Sequence, residues 1–204
     1  MAKVSICVPT YNNVSEVERL LQSIRRQNYT DYEVNISDDS TNVETEELVE
    51  RIRTEWEWQD KLHYIHNANP LGHIYNWNAA IRMSSGEYIK IMFSDDWFTD
   101  EKSLSAFVSM LDEHPEVNLA FSGSMQVLLD GQDIEQVKHL SKQATEHGNA
   151  YARYAEDAFI ERLHRNYKLF FLGNQIGAPS AGIYRCGEQL VLFDEQSNWA
   201  SDMF

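Results

Sequence analysis

The chain has 204 residues, enough for one domain with a full core, and no apolar run approaches the roughly 20 residues that span a bilayer. Its formal net charge of −15 argues against duplex DNA or an anionic membrane surface as a partner, because both are held by clustered lysines and arginines. Cys7 and Cys186 lack metal-type spacing and Cys7 falls inside an apolar strand as a buried thiol; with no signal-peptide core in "MAKVSICVP", a cytoplasmic protein is expected.

Val4, Ile6 and Val8 alternate with Ser5 and Cys7 in a β-prone run closed by Pro9, which predicts a first strand. Ser15 and Glu18 read as a capping box, and Val17, Leu20, Leu21 and Ile24 recur behind it at helical spacing. Tyr32, Val34 and Ile36 predict a second strand, and a second capping pair, Thr41 and Glu44, opens a helix carrying Leu48, Val49 and Ile52. "KLHYIH" is the third strand; the loop "NANPLGH" leads into a helix with Ile74, Trp77, Ala80 and Ile81 on one side, stopped by Gly86. "EYIKIMF" is the fourth, followed by a helix capped by Asp100, carrying Leu104, Phe107, Val108 and Leu111, and ending near His114 and Pro115.

Four successive strand-then-helix units predict a parallel, right-handed, doubly wound sheet. The later half is less regular. "NLAFSGS" and "MQVLLDG" read as strands with a turn at Asp130–Gly131, residues 151–166 as a helix, and "SAGIYR" as a strand.

Open parallel sheets bind ligands at the carboxyl ends of their strands, where loops converge and helix N-termini present N–H groups. Three polar segments fall there: "PTYNN" after the first strand, "SDDS" after the second and "SDD" after the fourth. The adjacent carboxylates Asp95 and Asp96 repel each other and need solvent, a hydrogen-bonding turn or a cation. A solvated turn capping the next helix is one reading; the other is a site for Mg²⁺ or Mn²⁺, which favour few carboxylates plus phosphate oxygens. No GxGxxG or GxxxxGK follows the first strand, and no HExxH or paired-cysteine site is present, so a phosphate-bearing ligand would need such a cation.

"VSICVPTYNN", "VNISDDST", "SSGEYIKIMFSDD" and the late "WASDMF" together resemble the family 2 glycosyltransferases. The resemblance implies a GT-A fold, a Rossmann-like α/β architecture with a mixed, mainly parallel sheet flanked by helices. It also implies a nucleotide-sugar-binding half at residues 1–125 and an acceptor-side half at 126–204. Pro9, Thr10, Tyr11 and Asn12 correspond to the loop under the nucleoside, and Asp39 to the carboxylate that accepts a ring N–H of the base. Asp95 matches the first acid of the DXD-type motif, near the ribose, and Asp96 the acid on the Mn²⁺ or Mg²⁺ that bridges the diphosphate. Asp202 corresponds to the general base of inverting members.

The sequence departs from the family pattern in two places. The segment "NANPLGHIYNWNAA" offers no Arg or Lys to the diphosphate, only His73, Asn76 and Asn78. The chain also stops two residues after Asp202, where family members continue with helices, so an N-terminal catalytic-domain fragment is expected. Trp97, beside the acid pair, is a candidate sugar contact, whereas Trp56, Trp58 and Trp77 are read as packing residues. The expected activity is inverting, metal-dependent transfer from a nucleotide sugar, with UDP-sugars favoured, to a glycan or lipid-linked acceptor in cell-surface polysaccharide synthesis, in the cytoplasm or peripherally at the inner face of the membrane. The alternative is a nucleotide-sugar-binding module without catalysis, acting as a regulatory domain. A nucleotidyltransferase is disfavoured, because "PTYNN" lacks the Gly, Lys and Arg of its phosphate loop.

Overall fold

The computed structural model describes residues 2–127, 146–147, 150–172 and 176–196. The strand–helix units form in the expected order: β1 (Val4–Thr10), α1 (Val14–Arg25), β2 (Tyr32–Asp38), α2 (Glu44–Glu55), β3 (Leu62–His66), α3 (His73–Arg82), β4 (Tyr88–Ile91) and α4 (Ser103–Glu113). With β5 (Leu119–Phe121) and β9 (Gly182–Arg185) they make a six-stranded sheet in the order β3-β2-β1-β4-β9-β5. β1 pairs in parallel with β2 and β4, β2 in parallel with β3, and β9 runs antiparallel to β4. This is the mixed, mainly parallel α/β sheet of the GT-A type.

Helices cover both faces, so every residue of β1, β2 and β4 is buried. Val4, Ile6 and Val8 join Leu20, Leu21, Ile24, Leu48, Val49 and Ile52 of α1 and α2 and Leu104 and Leu111 of α4 in the larger core. On the other face Cys7, Ile89 and Ile91 meet Ala80 and Ile81 of α3, and Leu190, Leu192 and Phe193 pack over them. Burial pushes the Cys7 thiol up to about 12, which keeps it protonated and inert.

Two compact units divide the chain: one holds the residues up to Ala120 together with the return from Ile183, the other Phe121–Gly182. In the second unit β6 (Ser124–Val127), β8 (Ala150–Arg153) and β7 (Glu146–His147) form a three-stranded antiparallel sheet. α5 (Asp157–Arg165) follows and buries Phe159 and Leu163.

Several local expectations are corrected. α1 starts at Val14 with Asn13 as its N-cap, so Ser15 lies inside the first turn and its hydroxyl bonds Glu16 rather than closing a capping box. At α2 the Asn42 side chain accepts from the Glu44 N–H, while the Thr41 N–H is drawn to Asn12, so the Thr41–Glu44 pair does not form. Pro9 does not close β1, which runs on to Thr10 because Pro9 and Thr10 keep their register with Ser37 and Asp38 of β2. Asp100 accepts from the Lys102 N–H in the turn ahead of α4 and is not its N-cap. Residues 151–153 belong to β8 rather than to a helix, because they pair with β6. The Asp130–Gly131 turn lies outside the described residues.

Gly86 is not the helix stop, since α3 ends at Arg82; a Cβ there would come within 2.8 Å of the Ser5 backbone nitrogen and Oγ. That close approach serves a buried polar cluster. Glu33 accepts from Ser5 Oγ at 2.6 Å, Ser85 N–H at 2.7 Å and Ser85 Oγ at 2.9 Å, and Gly86 N–H donates to Ser5 Oγ at 2.9 Å. Burial alone would raise the Glu33 pKa, but these bonds hold it below the ordinary range. A carboxylate depressed in the folded state contributes stability above its unfolded pKa and loses it as pH falls through the folded one. Glu33→Gln is therefore expected to cost about 1–3 kcal/mol at pH 7 in urea unfolding, with the gap to wild type closing below about pH 4.

Candidate active site

The carboxyl ends of β1, β2 and β4 open onto one cleft of about 530 Å³, within the range of small-ligand sites. Pro9, Thr10 and Tyr11 contribute from the end of β1, Asp39 from the end of β2, Ser94 and Asp95 from the turn after β4, and Gly72, His73, Asn76 and Trp77 from the start of α3. Residues distant in sequence meet here because a parallel sheet directs all its β→α loops to the same edge.

Asp39 is 3% exposed, yet it lines the cleft. Its N–H donates to the Thr10 carbonyl at 3.0 Å; Oδ1 accepts from Asn67 Nδ2 at 2.8 Å and Oδ2 from the Gly72 N–H at 2.9 Å. Gly72 reaches this carboxylate with φ of +89°, a conformation glycine adopts without strain. Asn76 Nδ2 donates to the same Thr10 carbonyl at 3.0 Å, and Asn67 Nδ2 also reaches Ser37 Oγ and Asn76 Oδ1. Asp39 is thus fixed as an acceptor with lone pairs left over for a donor in the cleft. The neighbouring Asp38 is fully buried, with Oδ1 accepting from the Ser40 N–H and Oδ2 from the Tyr64 hydroxyl, and it does not line the cleft.

Asn12 ties loops together rather than lining the wall. With φ of +50° it donates its N–H to Ser40 Oγ at 2.8 Å and accepts the Thr41 N–H at 3.0 Å. Tyr11, next to it, is 56% exposed beside the cleft.

The acid pair sits on a turn closed by the Asp96 N–H donating to the Phe93 carbonyl at 3.0 Å, and Asn13 Nδ2 holds Ser94 Oγ from the start of α1. Asp95 is exposed on the cleft wall; Asp96 is half-buried. From the outside, Arg19 donates to the Asp95 carbonyl at 3.1 Å and lays its guanidinium 4.1 Å over the Trp97 ring. One face of Trp97 is therefore covered by a cation, and Trp97 is not among the wall residues. From beneath, the fully buried Lys90 of β4 lies 4.8 Å from the Phe107 ring and 5.6 Å from that of Phe98. Burial pushes its pKa down to about 7, and the negative charge of Asp96 opposes that shift.

The two asparagines Asn76 and Asn78 of α3 both face protein partners. Asn76 is held by Thr10 and Asn67, and Asn78 is bonded to Phe193 on the far side of α3. His73 is exposed on the wall, its ring edge-on to Trp77 at 5.5 Å. Asp202 lies outside the described residues. The sequence reading missed Asn67, Gly72, Arg19 and Lys90. Lys90 carried a visible signal, a lone charge inside a run of otherwise buried strand residues, and Asn67 stands just past a strand end like the residues that were found.

Among the described residues no three or more His, Cys, Asp or Glu side chains gather as a metal-binding group. A cation here would rest on one or two carboxylates and on ligand oxygens, a donor set that suits Mg²⁺ or Mn²⁺. The residues present fit that arrangement, with two hard oxygen donors adjacent on one turn and Asp95 open to the cleft. In Asp39→Asn the new amide turns an N–H toward either Asn67 or Gly72, which are both donors. The variant is expected to lose about 1–3 kcal/mol of stability, measured by urea unfolding without ligand.

Comparison with known proteins bears on this geometry. A glucosyltransferase of Campylobacter jejuni, GalNAc(5)-diNAcBac-PP-undecaprenol beta-1,3-glucosyltransferase, is 28% identical over 152 residues, 70% of this chain and 47% of that protein. The chain thus spans about half the length of this curated relative, and less of several others. The crystal structure of S. aureus TarS 1–349 superposes with a TM-score of 0.61 at 22% identity, over 98% of this chain and 53% of that one, and it is also solved with UDP-GlcNAc. The mannosyltransferase PcManGT of Pyrobaculum calidifontis, in complex with GDP-Man and Mn²⁺, superposes with a TM-score of 0.52 at 26% identity, over 79% of this chain and 46% of that one. The family model for glycosyl transferase family 2 matches residues 5–192, nearly the whole chain, and the chain belongs to that family.

Proposed function

We propose that the protein transfers a sugar from a nucleoside diphosphate sugar, with a UDP-sugar as donor, to a glycan or lipid-linked acceptor with inversion at the anomeric carbon. The observation that carries this reading is the convergence of Asp39 and Asp95 from different strand ends on one cleft. Asp39, held by Asn67 and Gly72, accepts the ring N–H of the base. Guanine also carries a ring N–H; the preference for uracil rests on the TarS complex with UDP-GlcNAc, while the GDP-Man complex of PcManGT marks the competing base. Thr10 and Tyr11 flank the nucleoside, and Asp95 approaches the ribose.

Asp96 would hold Mn²⁺ or Mg²⁺, which when bound would supply Lewis-acid stabilisation of the charge that develops on the departing diphosphate. The acceptor hydroxyl attacks the anomeric carbon from the opposite face, the bond to the diphosphate breaks, and Asp202 takes the hydroxyl proton. His73, on the cleft wall, contacts the donor or the acceptor. The C. jejuni relative, named for an undecaprenol-linked glycan, supports an acceptor of lipid-linked type and a role in cell-surface polysaccharide synthesis. No helix among the described residues is long and apolar enough to cross a membrane.

The test is UDP release from UDP-GlcNAc and UDP-glucose with Mn²⁺, with and without an undecaprenyl-diphosphate-linked saccharide. Asp96→Ala and chelation of the metal are each expected to lower the rate by about 100-fold or more. Asp202→Asn is expected to abolish transfer by a similar factor while UDP affinity stays within about twofold. UDP binding with no turnover in any condition would favour the non-catalytic module.

A further inference from the structure

The stretch after β9 returns across the α3 face of the sheet, and one buried side chain fastens it. Asn78 is fully buried, and its carboxamide meets the Phe193 peptide on both sides: Nδ2 donates to the Phe193 carbonyl at 3.0 Å, and Oδ1 accepts the Phe193 N–H at 2.9 Å. Asn78 Nδ2 also reaches Glu195 Oε1 at 3.2 Å, and the same oxygen accepts from Arg82 Nη2 at 2.8 Å. A buried amide that pairs with a peptide in both directions fixes position as well as direction, because neither group can shift without leaving a buried donor or acceptor unmet.

The fastened residue is a ring that backs the cleft. Phe193 lies 5.0 Å from the Trp77 ring at an angle of 70°, and Trp77 lies 4.8 Å from Phe93 and 5.5 Å from His73. Phe93, Trp77 and His73 all line the cleft; Phe193 does not. Trp77 is half-buried, and Phe193 packs against it beside Phe93 and His73.

We propose that Asn78 is a positioning residue for the donor cleft, which clamps Phe193 behind Trp77 and so sets the aromatic wall facing the nucleotide sugar. It touches no substrate, and it accounts for an asparagine that the sequence places among the phosphate-facing candidates. The identity of the ligand rests on the function proposed above; the packing of the wall does not.

The experiment labels the full chain with 5-fluorotryptophan, assigns the Trp77 resonance by its absence in Trp77→Phe, and measures UDP-GlcNAc affinity with Mn²⁺ by calorimetry. Asn78→Leu removes the clamp at similar volume, and Phe193→Ala removes the ring while leaving the clamp. Both are expected to shift the Trp77 resonance and weaken UDP-GlcNAc binding about three- to tenfold, an effect of the size that one lost packing contact produces. Val191→Ala, on the same stretch but 63% exposed, is expected to change neither. If Asn78→Leu does not fold, Phe193→Ala reads the same wall. An unmoved Trp77 resonance in folded Asn78→Leu or in Phe193→Ala overturns the proposal, as does a shifted resonance with unchanged affinity. If wild type binds no nucleotide sugar, the ligand reading fails, and the fluorine spectrum still decides whether the wall depends on Phe193.

Discussion

The carbonyl oxygen of Thr10 accepts two hydrogen bonds, from the Asp39 N–H and from Asn76 Nδ2, and through them β1, the loop after β2 and α3 are joined at the mouth of the sheet. Asn67 extends the join by bonding Ser37, Asp39 and Asn76 together. Unpaired carbonyl and carboxylate groups at a strand end would otherwise need water. Here they satisfy one another and leave a carboxylate with spare lone pairs in a nearly solvent-free corner. A carboxylate held this way costs little to orient toward a donor that enters the cleft, which is what preorganised recognition requires.

The acid turn obeys a different constraint. An apolar strand leads straight into Asp95 and Asp96 because the strand carries its own counter-charge inward. Lys90 is enclosed by Phe98 and Phe107, and Asp96 is the charge that offsets its burial. Arg19 meets the same turn from outside through the Asp95 carbonyl and the Trp97 ring. A backbone hydrogen bond closes the turn, Lys90 faces the Asp96 charge from beneath and Arg19 fixes the turn from outside, while Asp95 stays open to the cleft. A buried lysine beneath a carboxylate is a costly arrangement for stability alone, and its position under the acid turn points to the site as its reason.

Strand and helix identity was legible from the sequence, because periodicity reports burial and these elements are buried by their neighbours: Val17, Leu20, Leu21 and Ile24 have no exposed surface, as their spacing implied. The site loops were legible for a topological reason, since a parallel sheet sends each β→α loop to one edge whatever its sequence. Helix starts were less legible. Ser15–Glu18 has the capping pattern, but Asn13 starts the helix earlier because its own side chain is tied to Thr10 and Ser94. Residues 151–153 were misread because their pairing partner lies more than 20 residues away in sequence, and periodicity in one segment carries no record of a distant strand. Asn76 and Asn78 illustrate the same limit inside the site, as spacing places both on α3 but not which amide is met by Thr10 and which by Phe193.

The central claim is that one cleft binds a nucleoside diphosphate, with Asp39 at the base and the acid turn at the phosphates. The most direct measurement is a crystal structure with UDP and Mn²⁺, with anomalous diffraction locating the metal. The account expects the manganese peak beside an Asp96 carboxylate oxygen and phosphate oxygens of UDP, with the uracil ring N–H within hydrogen-bonding distance of Asp39. Manganese bound elsewhere, or UDP seated with its base away from Asp39, would contradict it.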